Sequence, residues 1–392
     1  MNEYDVIVVG AGIHGAGVAQ AAAAAGQRVV VLEQQHAAYG TSSRSSKLIH
    51  GGLRYLESGQ LRLVHESLQE RALMLKNAPD LVQLKPFYIP LYRHTRRQPW
   101  QIRTGLTLYA ILGGFKRGCR FGTIARREWD QLDGLNTQGL RSVFRYYDGQ
   151  TDDALLTAAV LRSAQQLGAE VCMPAKLTHI ELQPHGVIVT YLENGQHRQI
   201  VARALVNASG PWVDHTLGLV TPRQPLRLIE LIQGTHLIVP GQLTQGIYYV
   251  ESPRDGRAIF VMPWYGQTMI GTTETRYRGD PADVRPLQTE INYLLQTLKH
   301  YFPAHRHTQA QDITRTFAGL RVLPAGSGHA FHRPRETVLD TDRAQNPRMV
   351  SIFGGKLTGW RATAEKVMQH ITPSLPVRKA RADTRHIRLS PE

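Results

Sequence analysis

The chain opens with an unbroken apolar run that passes directly into a glycine-rich turn. Residues 6–9 are β-branched and show no polar alternation, which is typical of a strand buried on both faces of a parallel sheet. The alanine-rich residues 14–25 are predicted to form a helix that ends at Gly26, and residues 28–32 form the next apolar strand. The pattern therefore predicts a strand–helix–strand unit at the amino terminus.

Three glycines lie between the first strand and the helix, with the spacing G-x-G-x-x-G at Gly10, Gly12 and Gly15. Gly10 permits the tight turn, Gly12 lets a pyrophosphate approach the backbone, and Gly15 lets the helix lie close to the strand. Glu33 ends the second strand, where a carboxylate accepts hydrogen bonds from a ribose. We interpret the unit as a dinucleotide site; the alternative is a glycine-rich turn without a ligand.

The rest of the chain changes from α/β alternation to a run of strands and back again. Helical periodicity predicts helices at residues 61–76, 151–168, 287–302 and 358–371. A hairpin is predicted around Asn194-Gly195, followed by a separate buried strand at residues 204–210. Strand follows strand from residue 227 to residue 273, which indicates a β-rich second domain.

These elements predict an α/β fold in which the domains are discontinuous in sequence. The predicted boundaries assign residues 1–80, 150–215 and 345–370 to the cofactor domain, residues 81–149 and 216–344 to the substrate domain, and residues 371–392 to a basic, poorly ordered tail.

A segment rich in hydroxyl groups follows the first unit, at residues 39–57. Its small side chains can hydrogen-bond to phosphate or flavin oxygens with little steric demand; they are Thr41, Ser42, Ser43, Ser45 and Ser46. Lys47, His50 and Arg54 add donors and positive charge. A serine-capped helix start is the alternative, but it does not explain why these groups and Tyr55 cluster beside two glycines.

A second glycine turn lies near the carboxyl terminus, at Gly354-Gly355-Lys356-Leu357. It follows an apolar strand and opens a helix, so that free backbone N–H groups and the Lys356 charge lie together. An ordinary strand–turn–helix connection is the alternative. His236 lies within a predicted strand, where a single histidine is more often part of the core than catalytic.

Residues 86–127 are rich in arginine and contain the apolar stretch 100–115, in which Ile102, Leu106, Tyr109 and Leu112 fall near one helical face. Such a helix suits the surface of an anionic membrane, and it equally suits a core helix with solvated ends.

Composition narrows the function classes only partly. The chain has 46 Lys and Arg against 31 Asp and Glu, a net charge of +15, which favours phosphorylated substrates, anionic lipid or nucleic acid, or simply solubility. Two cysteines cannot build a disulfide framework or a metal cluster, and the first strand begins too early for a signal peptide. A cytoplasmic protein is therefore expected, with no metal site.

Six motifs occur in an order that resembles the FAD-dependent glycerol-3-phosphate dehydrogenase family: KLIHGGLRYLE, VNASGPW, GTH, IGTT, GLR and FGGKLT. The resemblance covers nearly all of residues 1–370. It implies FAD, a Rossmann-like FAD-binding domain of the glutathione-reductase type as in D-amino-acid oxidase, a second β-rich domain for the substrate, and association with the inner face of the cytoplasmic membrane. Members of that family usually continue into a helical carboxyl-terminal domain, and we expect this protein to lack it.

The resemblance also implies roles for individual residues. The substrate-binding residues would be Arg54, Tyr55, Arg321 and Lys356, and the catalytic residues would be His50, Arg54, His236, Arg321 and Lys356. The residues that would contact FAD are Gly10, Gly12, Ile13, His14, Gly15, Glu33, Gln34, Thr41, Ser42, Ser45, Ser46, Lys47, Leu48, His50, Leu177, Gly210, Gly354, Gly355, Lys356 and Leu357.

The expected reaction is oxidation of sn-glycerol 3-phosphate, or a close phosphorylated secondary alcohol, by hydride transfer to flavin N5, with quinone or oxygen as the electron acceptor. Either His50 or His236 would take the hydroxyl proton. A flavoenzyme of the same fold that acts on a 2-hydroxy or amino acid is the alternative. A nucleic-acid binder is a third class, and we expect none of that activity; a homodimer is compatible with the sequence.

Overall fold

The computed structural model describes residues 2–325 and 337–391. Its strands are β1 (Asn2–Val9), β2 (Val29–Leu32), β3 (Leu48–Ile49), β4 (Val82–Tyr92), β5 (Gly122–Thr123), β6 (Leu140–Thr151), β7 (Glu170–Cys172), β8 (Lys176–Gln183), β9 (Gly186–Glu193), β10 (Gln196–Asn207), β11 (Val220–Thr221), β12 (Ile229–Val239), β13 (Ile247–Glu251), β14 (Ala258–Trp264), β15 (Gln267–Gly271), β16 (Thr275–Tyr277), β17 (Arg315–Pro324), β18 (Val338–Thr341) and β19 (Met349–Phe353). Its α-helices are α1 (Ile13–Ala24), α2 (Leu61–Asn77), α3 (Pro99–Leu112), α4 (Asp153–Gln166), α5 (Val213–Gly218), α6 (Gln288–Tyr301) and α7 (Trp360–Ile371).

The first sheet is built around β1, which lies between β10 and β2 and is parallel to both. β19 adds in parallel to the end of β10, and β7 adds in parallel to β2, so five parallel strands end at one edge. Their apolar side chains, such as Val6, Val8 and Val206, are completely buried. Helix α1 packs between α4 and α7 on one face, which explains why it is buried on nearly every side and rich in alanine. The predicted α/β cofactor domain is confirmed as a fold.

The second sheet is mainly antiparallel, with β12 paired to β15, β16 and β17. Helix α6 covers one face through Leu294 and Leu298, and helices α2 and α3 cover the other through residues such as Leu68 and Leu106. The β-rich second domain predicted from the sequence is therefore present.

Three details of the strands differ from the sequence prediction. The second hairpin strand and the predicted strand at residues 204–210 are one strand, β10, because its first part pairs with β9 and its end pairs with β19. β18 lies in the first sheet, paired with β19, although the predicted boundaries assigned it to the second domain. β3 pairs with β6 of the second sheet, although residues 48–49 were assigned to the first.

The apolar face of helix α3, which from sequence suited either a membrane surface or the protein core, points into the protein. Ile102, Leu106 and Tyr109 are buried in the core of the second domain, so the core-helix alternative is the correct one for this face. The exposed apolar side chains of this region are Trp100 and Ile111, at 67% and 51% exposure, which share the opposite face. Among the described residues, no helix combines the length and hydropathy needed to span a bilayer.

The carboxyl-terminal segment is not the loose tail that its composition indicated. Arg378 forms an ion pair with buried Asp5 at the start of β1, and the Arg381 N–H donates to the carbonyl of Ala24. Leu389 is 3% exposed within the core cluster of the first domain, and its N–H donates to Asn77. The prediction failed because these basic residues pair with groups nearly four hundred positions away in sequence, which composition alone does not reveal.

We expect Leu389→Ala to lower the free energy of unfolding by about 3 kcal/mol, because it removes a buried side chain from a closed core. Val377→Ala is the matched control: Val377 is fully exposed in the same segment, and its truncation should change stability by less than about 0.5 kcal/mol. Chemical denaturation measures both. Equal small effects would show that the segment does not pack as described.

Candidate active site

A deep cavity opens at the carboxyl edge of the parallel strands of the first sheet, where the second sheet faces the first. It contains nearly all of the residues singled out from the sequence. Those that line it are Gly10, Gly12, Ile13, His14, Glu33, Gln34, Thr41, Ser42, Ser45, Ser46, Leu48, His50, Arg54, Tyr55, Leu177, Gly210, His236, Arg321, Gly354, Gly355, Lys356 and Leu357. Residues from both ends of the chain and from the β-rich middle thus share one site.

Gly15 does not line the cavity; it allows helix α1 to pack closely against the glycine turn. A Cβ at Gly15 would lie 1.9 Å from the carbonyl oxygen of Gly10, so only glycine lets α1 approach β1 this closely. Gly10 itself has φ +99°, the left-handed region that favours glycine. Both glycines therefore act as the sequence pattern indicated, one in the turn and one in helix packing.

The two polar groups next to this turn are held by backbone N–H groups. Glu33 accepts hydrogen bonds from Ala11 N at 2.8 Å and from Gln35 N at 2.8 Å, which fixes the carboxylate at the cavity wall. Ser42 Oγ accepts from Ile13 N at 2.9 Å, at the first turn of α1. The hydroxyl-rich segment is thereby attached to the glycine turn, as a shared ligand site requires.

Lys47 is the one polar residue that the sequence assigned to the cofactor and that does not line the cavity. Its ammonium group forms a buried ion pair with Asp153 and donates to the carbonyl of Ser43 at 2.6 Å. Asp153 also accepts from Ser45 N at 2.8 Å. Lys47 therefore anchors the serine segment to the start of α4, and the position of its ammonium group does not support its assignment as a direct cofactor contact.

His14 lies half-buried at the start of α1, against the second glycine turn. A Cβ at Gly355 would lie 2.1 Å from His14 Nε2, and Gly355 has φ +106°, so this contact needs glycine. Burial lowers the pKa of His14 to about 4, so the imidazole is neutral at pH 7. Its Nδ1 has no hydrogen-bond partner among the described residues, as expected of a polar atom next to a ligand site.

The loop that carries His50, Arg54 and Tyr55 is fixed from two sides. Thr358 exchanges hydrogen bonds with the backbone of His50, at 3.1 and 3.3 Å. Behind the loop, Gly51 N donates to the Tyr109 hydroxyl at 2.8 Å.

Tyr109 in turn donates to the buried carboxylate of Asp148, which is paired with Arg71. A Cβ at Gly51 would lie 2.4 Å from the Tyr109 hydroxyl, which explains one of the two glycines in this motif. The loop is therefore held by a buried polar network and not by surface contacts.

His236 is 1% exposed and stacks on Phe317, with ring centroids 4.9 Å apart. Its Nε2 lies 3.0 Å from Ser46 Oγ, and its Nδ1 has no hydrogen-bond partner in the described part of the chain. Burial, followed by the charges of Arg321 and Lys47, holds the pKa of His236 well below its usual range. The ring is therefore neutral and able to accept a proton throughout the physiological range.

Arg321 is oriented by the segment that joins β15 to β16. Its guanidinium donates to Thr272 Oγ1 at 3.0 Å and to the carbonyl of Thr273 at 3.3 Å, and it lies 3.7 Å from the Glu274 carboxylate. A Cβ at Gly234 would lie 2.7 Å from the guanidinium, so the glycine of GTH leaves room for this side chain.

Lys356 and Arg54 both approach Tyr55. Lys356 Nζ lies 3.8 Å from the centroid of the tyrosine ring, and Arg54 Cζ lies 5.8 Å from it. The ring face stabilises cations held nearby. Together with Arg321, these two residues bring three cationic side chains to the lining of the cavity.

Sequence reasoning missed several residues that line the same cavity: Arg44, Tyr146, Tyr249, Arg257, Phe260, Thr272 and Glu274. Thr272 belongs to the IGTT motif and Glu274 directly follows it, and the strand alternation through that motif was the available signal. The aromatic residues come from strands with no distinctive motif, so nothing in the local sequence marks them.

These residues fit a dinucleotide cofactor. The turns at Gly10 and Gly355 have the backbone approach that a pyrophosphate requires, and a neutral, half-buried imidazole with an unsatisfied nitrogen lies between them. The described residues contain no group of three His, Cys, Asp or Glu side chains arranged to hold a metal ion.

Comparison with known proteins agrees with this geometry. Residues 5–363 match the family model described as FAD dependent oxidoreductase. The chain is 37% identical to the aerobic glycerol-3-phosphate dehydrogenase of Escherichia coli (strain K12), over 95% of this chain and 74% of the relative. It is 36% identical to the D-erythritol 1-phosphate dehydrogenase of Brucella abortus (strain 2308), with the same coverage of 95% and 74%.

A solved structure gives the same result at the level of the fold. The glycerol-3-phosphate dehydrogenase from Bacillus halodurans, crystallised with FAD, superposes with a TM-score of 0.74 and 28% identity, over 99% of this chain and 68% of that one. The family match spans most of the chain, and the glycine-lined sheet edge supplies the site that FAD requires. The chain therefore belongs to the family of FAD-dependent oxidoreductases that includes the glycerol-3-phosphate dehydrogenases.

Proposed function

We propose that this protein is a dehydrogenase that oxidises sn-glycerol 3-phosphate, or a close phosphorylated polyol, to the corresponding ketone. The observation that carries the proposal is the convergence of Arg54, Arg321 and Lys356 with a buried neutral histidine in one cavity, beside the FAD site. The named activities of the two relatives, on glycerol 3-phosphate and erythritol 1-phosphate, support a phosphorylated secondary alcohol.

The residues at the sheet edge would hold the cofactor. Gly10, Gly12 and the N–H groups at the start of α1 would hold the pyrophosphate, and Glu33 would accept hydrogen bonds from the ribose. Ser45, Ser46, His50, Gly354 and Gly355 line the continuation of the cavity toward the second sheet. When bound, FAD supplies a hydride acceptor at flavin N5.

The second sheet would hold the substrate. Arg321 presents a planar fork of N–H donors that matches a phosphate bidentately, which a lysine does not do. Arg54 and Lys356 add positive charge to the cavity, next to Tyr55. Several cations in one cavity favour a dianionic phosphate over a single carboxylate, and this argues against a 2-hydroxy or amino acid as the substrate.

His236 is the base that the geometry favours over His50. Its low pKa keeps the ring neutral, and its ring orientation is fixed by Phe317 and Ser46. His50 lines the same cavity, and its backbone is fixed by Thr358. His236 therefore takes the hydroxyl proton as the hydride leaves the carbon.

We also propose that a quinone is the electron acceptor and that the protein associates with an anionic membrane surface. The support is the exposed apolar pair on α3, Trp100 and Ile111, near exposed arginines such as Arg103. Amphipathic surfaces of this kind bind anionic lipid through apolar burial and charge together.

Arg321→Ala should abolish reduction of the flavin by sn-glycerol 3-phosphate while FAD stays bound, because the guanidinium contacts the substrate end of the cavity and not the glycine turns. Anaerobic bleaching of the flavin absorption measures the first quantity, and flavin content of purified protein the second. Arg315→Ala is the matched control on the same strand, since Arg315 is exposed and does not line the cavity. Unchanged bleaching in Arg321→Ala would contradict the assignment.

His236→Gln should lower kcat by about 100-fold with a small change in KM, as expected for loss of a general base. The folded pKa of His236 lies below its ordinary value, so the base loses its proton-accepting form only as pH falls well below 6.5. The pH profile of kcat/KM should therefore lack an acidic limb near pH 6.5. If the wild-type protein showed an acidic limb near pH 6.5 and the variant did not, the pKa of the catalytic base would not be lowered as described.

Trp100→Ser combined with Ile111→Ser should reduce sedimentation with vesicles of phosphatidylglycerol several-fold, because both side chains are exposed on one face of α3. Leu228→Ser is the control, since Leu228 is 82% exposed on β-rich surface outside that helix. Equal loss in both variants would indicate non-specific apolar binding, and the proposed membrane face would be wrong.

A further inference from the structure

One buried carboxylate outside the cavity holds together the two strands that carry the substrate residues. Glu290, in the first turn of α6, is 4% exposed. Its Oε1 accepts from the hydroxyls of Thr273 and Thr275, both at 2.7 Å. Its Oε2 accepts from Thr235 Oγ1 and from Gln233 Nε2, both at 2.6 Å.

The donors to Glu290 alternate with residues that line the cavity. Along β12, Gln233 and Thr235 face Glu290, while Gly234 and His236 line the cavity. Neighbouring side chains of a strand point to opposite faces, so the carboxylate is hydrogen-bonded to this strand on the face opposite to the cavity.

The same alternation holds in the segment after β15. Thr273 and Thr275 face Glu290, while Thr272 and Glu274 line the cavity next to Arg321. Thr235 N also donates to Thr273 Oγ1 at 2.9 Å, and this hydroxyl in turn donates a hydrogen bond to Glu290. The strand and the segment are therefore joined through one acceptor.

The groups facing Glu290 explain why it is ionised. Burial alone would raise the pKa of this carboxyl, but hydrogen bonds from Thr235, Thr273, Thr275 and the backbone of Leu287 hold it below its usual value. The group that faces it from α6's own entry loop is the Leu287 N–H, at 3.2 Å. An acceptor with two oxygens and no proton satisfies all these donors together, which an amide does not do.

We propose that Glu290 is a positioning residue for substrate binding: it fixes Thr272 and Thr273, which in turn orient the Arg321 guanidinium in the cavity. This inference rests on the proposed function, because it assigns Arg321 to the substrate phosphate. Arg321 is held by Thr272 Oγ1 and the Thr273 carbonyl, so a shift of this segment moves the anion site and leaves the glycine turns at the FAD end unchanged.

The test is Glu290→Gln in the FAD-loaded protein. We expect the KM for sn-glycerol 3-phosphate, and the dissociation constant of inorganic phosphate followed by the flavin spectrum, to rise about tenfold. The value of kcat should stay within about twofold, since the base His236 is held separately by Phe317 and Ser46. Glu70→Gln is the matched control, because Glu70 is a helical carboxylate with the same 4% exposure that pairs with Arg361 outside the cavity.

A double-mutant cycle separates positioning from general destabilisation. Because Glu290 acts through Arg321, Glu290→Gln should add little to the KM of Arg321→Lys, whereas independent structural damage would be additive. If Glu290→Gln fails to fold with FAD, Thr273→Val tests the same link, since it removes the hydroxyl that joins Thr235 to the carboxylate. The inference would be overturned if the two substitutions had additive effects on KM, if kcat fell as much as KM rose, or if KM did not change.

The two proposals fail in different ways. If sn-glycerol 3-phosphate does not bleach the wild-type flavin but inorganic phosphate binding still weakens in Glu290→Gln, the proposed substrate is wrong and the positioning role stands. If the substrate bleaches wild type and both Glu variants with equal KM, the function stands and the role of Glu290 is wrong.

Discussion

The structure depends on one close backbone approach, that of α1 to the end of β1. With a Cβ at Gly15 only 1.9 Å from the Gly10 carbonyl, any other residue would push the helix away from the sheet. The helix would then no longer aim its first N–H groups at the edge where the parallel strands end, and its alanine-rich surface would lose contact with α4 and α7. Cofactor site and core packing therefore share a single steric constraint.

The second sheet places its functional side chains at the same edge because the side chains of each strand alternate between its two faces. On β12, one face presents Gly234 and His236 to the cavity, and the other face is tied to α6 through Glu290. The reactive side is thus positioned by groups that never touch a ligand. The loop at residues 50–55 is held in the same manner, through Gly51, Tyr109 and Asp148. Buried polar networks behind a site fix its geometry because leaving any of their members unpaired is costly.

The interpretation from sequence was incomplete where a residue contacts a group that lies far away along the chain. Helix α3 shows a regular apolar face, and only the packing of Ile102 and Leu106 against the second sheet reveals that this face is interior. The carboxyl-terminal residues have the composition of a solvated tail, yet Asp5 and the end of α1 provide partners for Arg378 and Arg381. Lys47 looked like a ligand contact and is instead neutralised by Asp153. Charge pairing across the chain leaves no local pattern.

The sequence by itself determined the glycine turns, the acid at the end of β2, the two kinds of sheet and the motifs that converge on the cavity. These features depend on local rules: backbone sterics at glycine, side-chain periodicity, and the direction in which parallel strands end. Only the tertiary structure decided that His236 is buried and neutral, that Arg321 is oriented by Thr272, and that Glu290 lies behind both. Burial, pKa and orientation arise from groups brought together across long stretches of chain, and no window of sequence contains them.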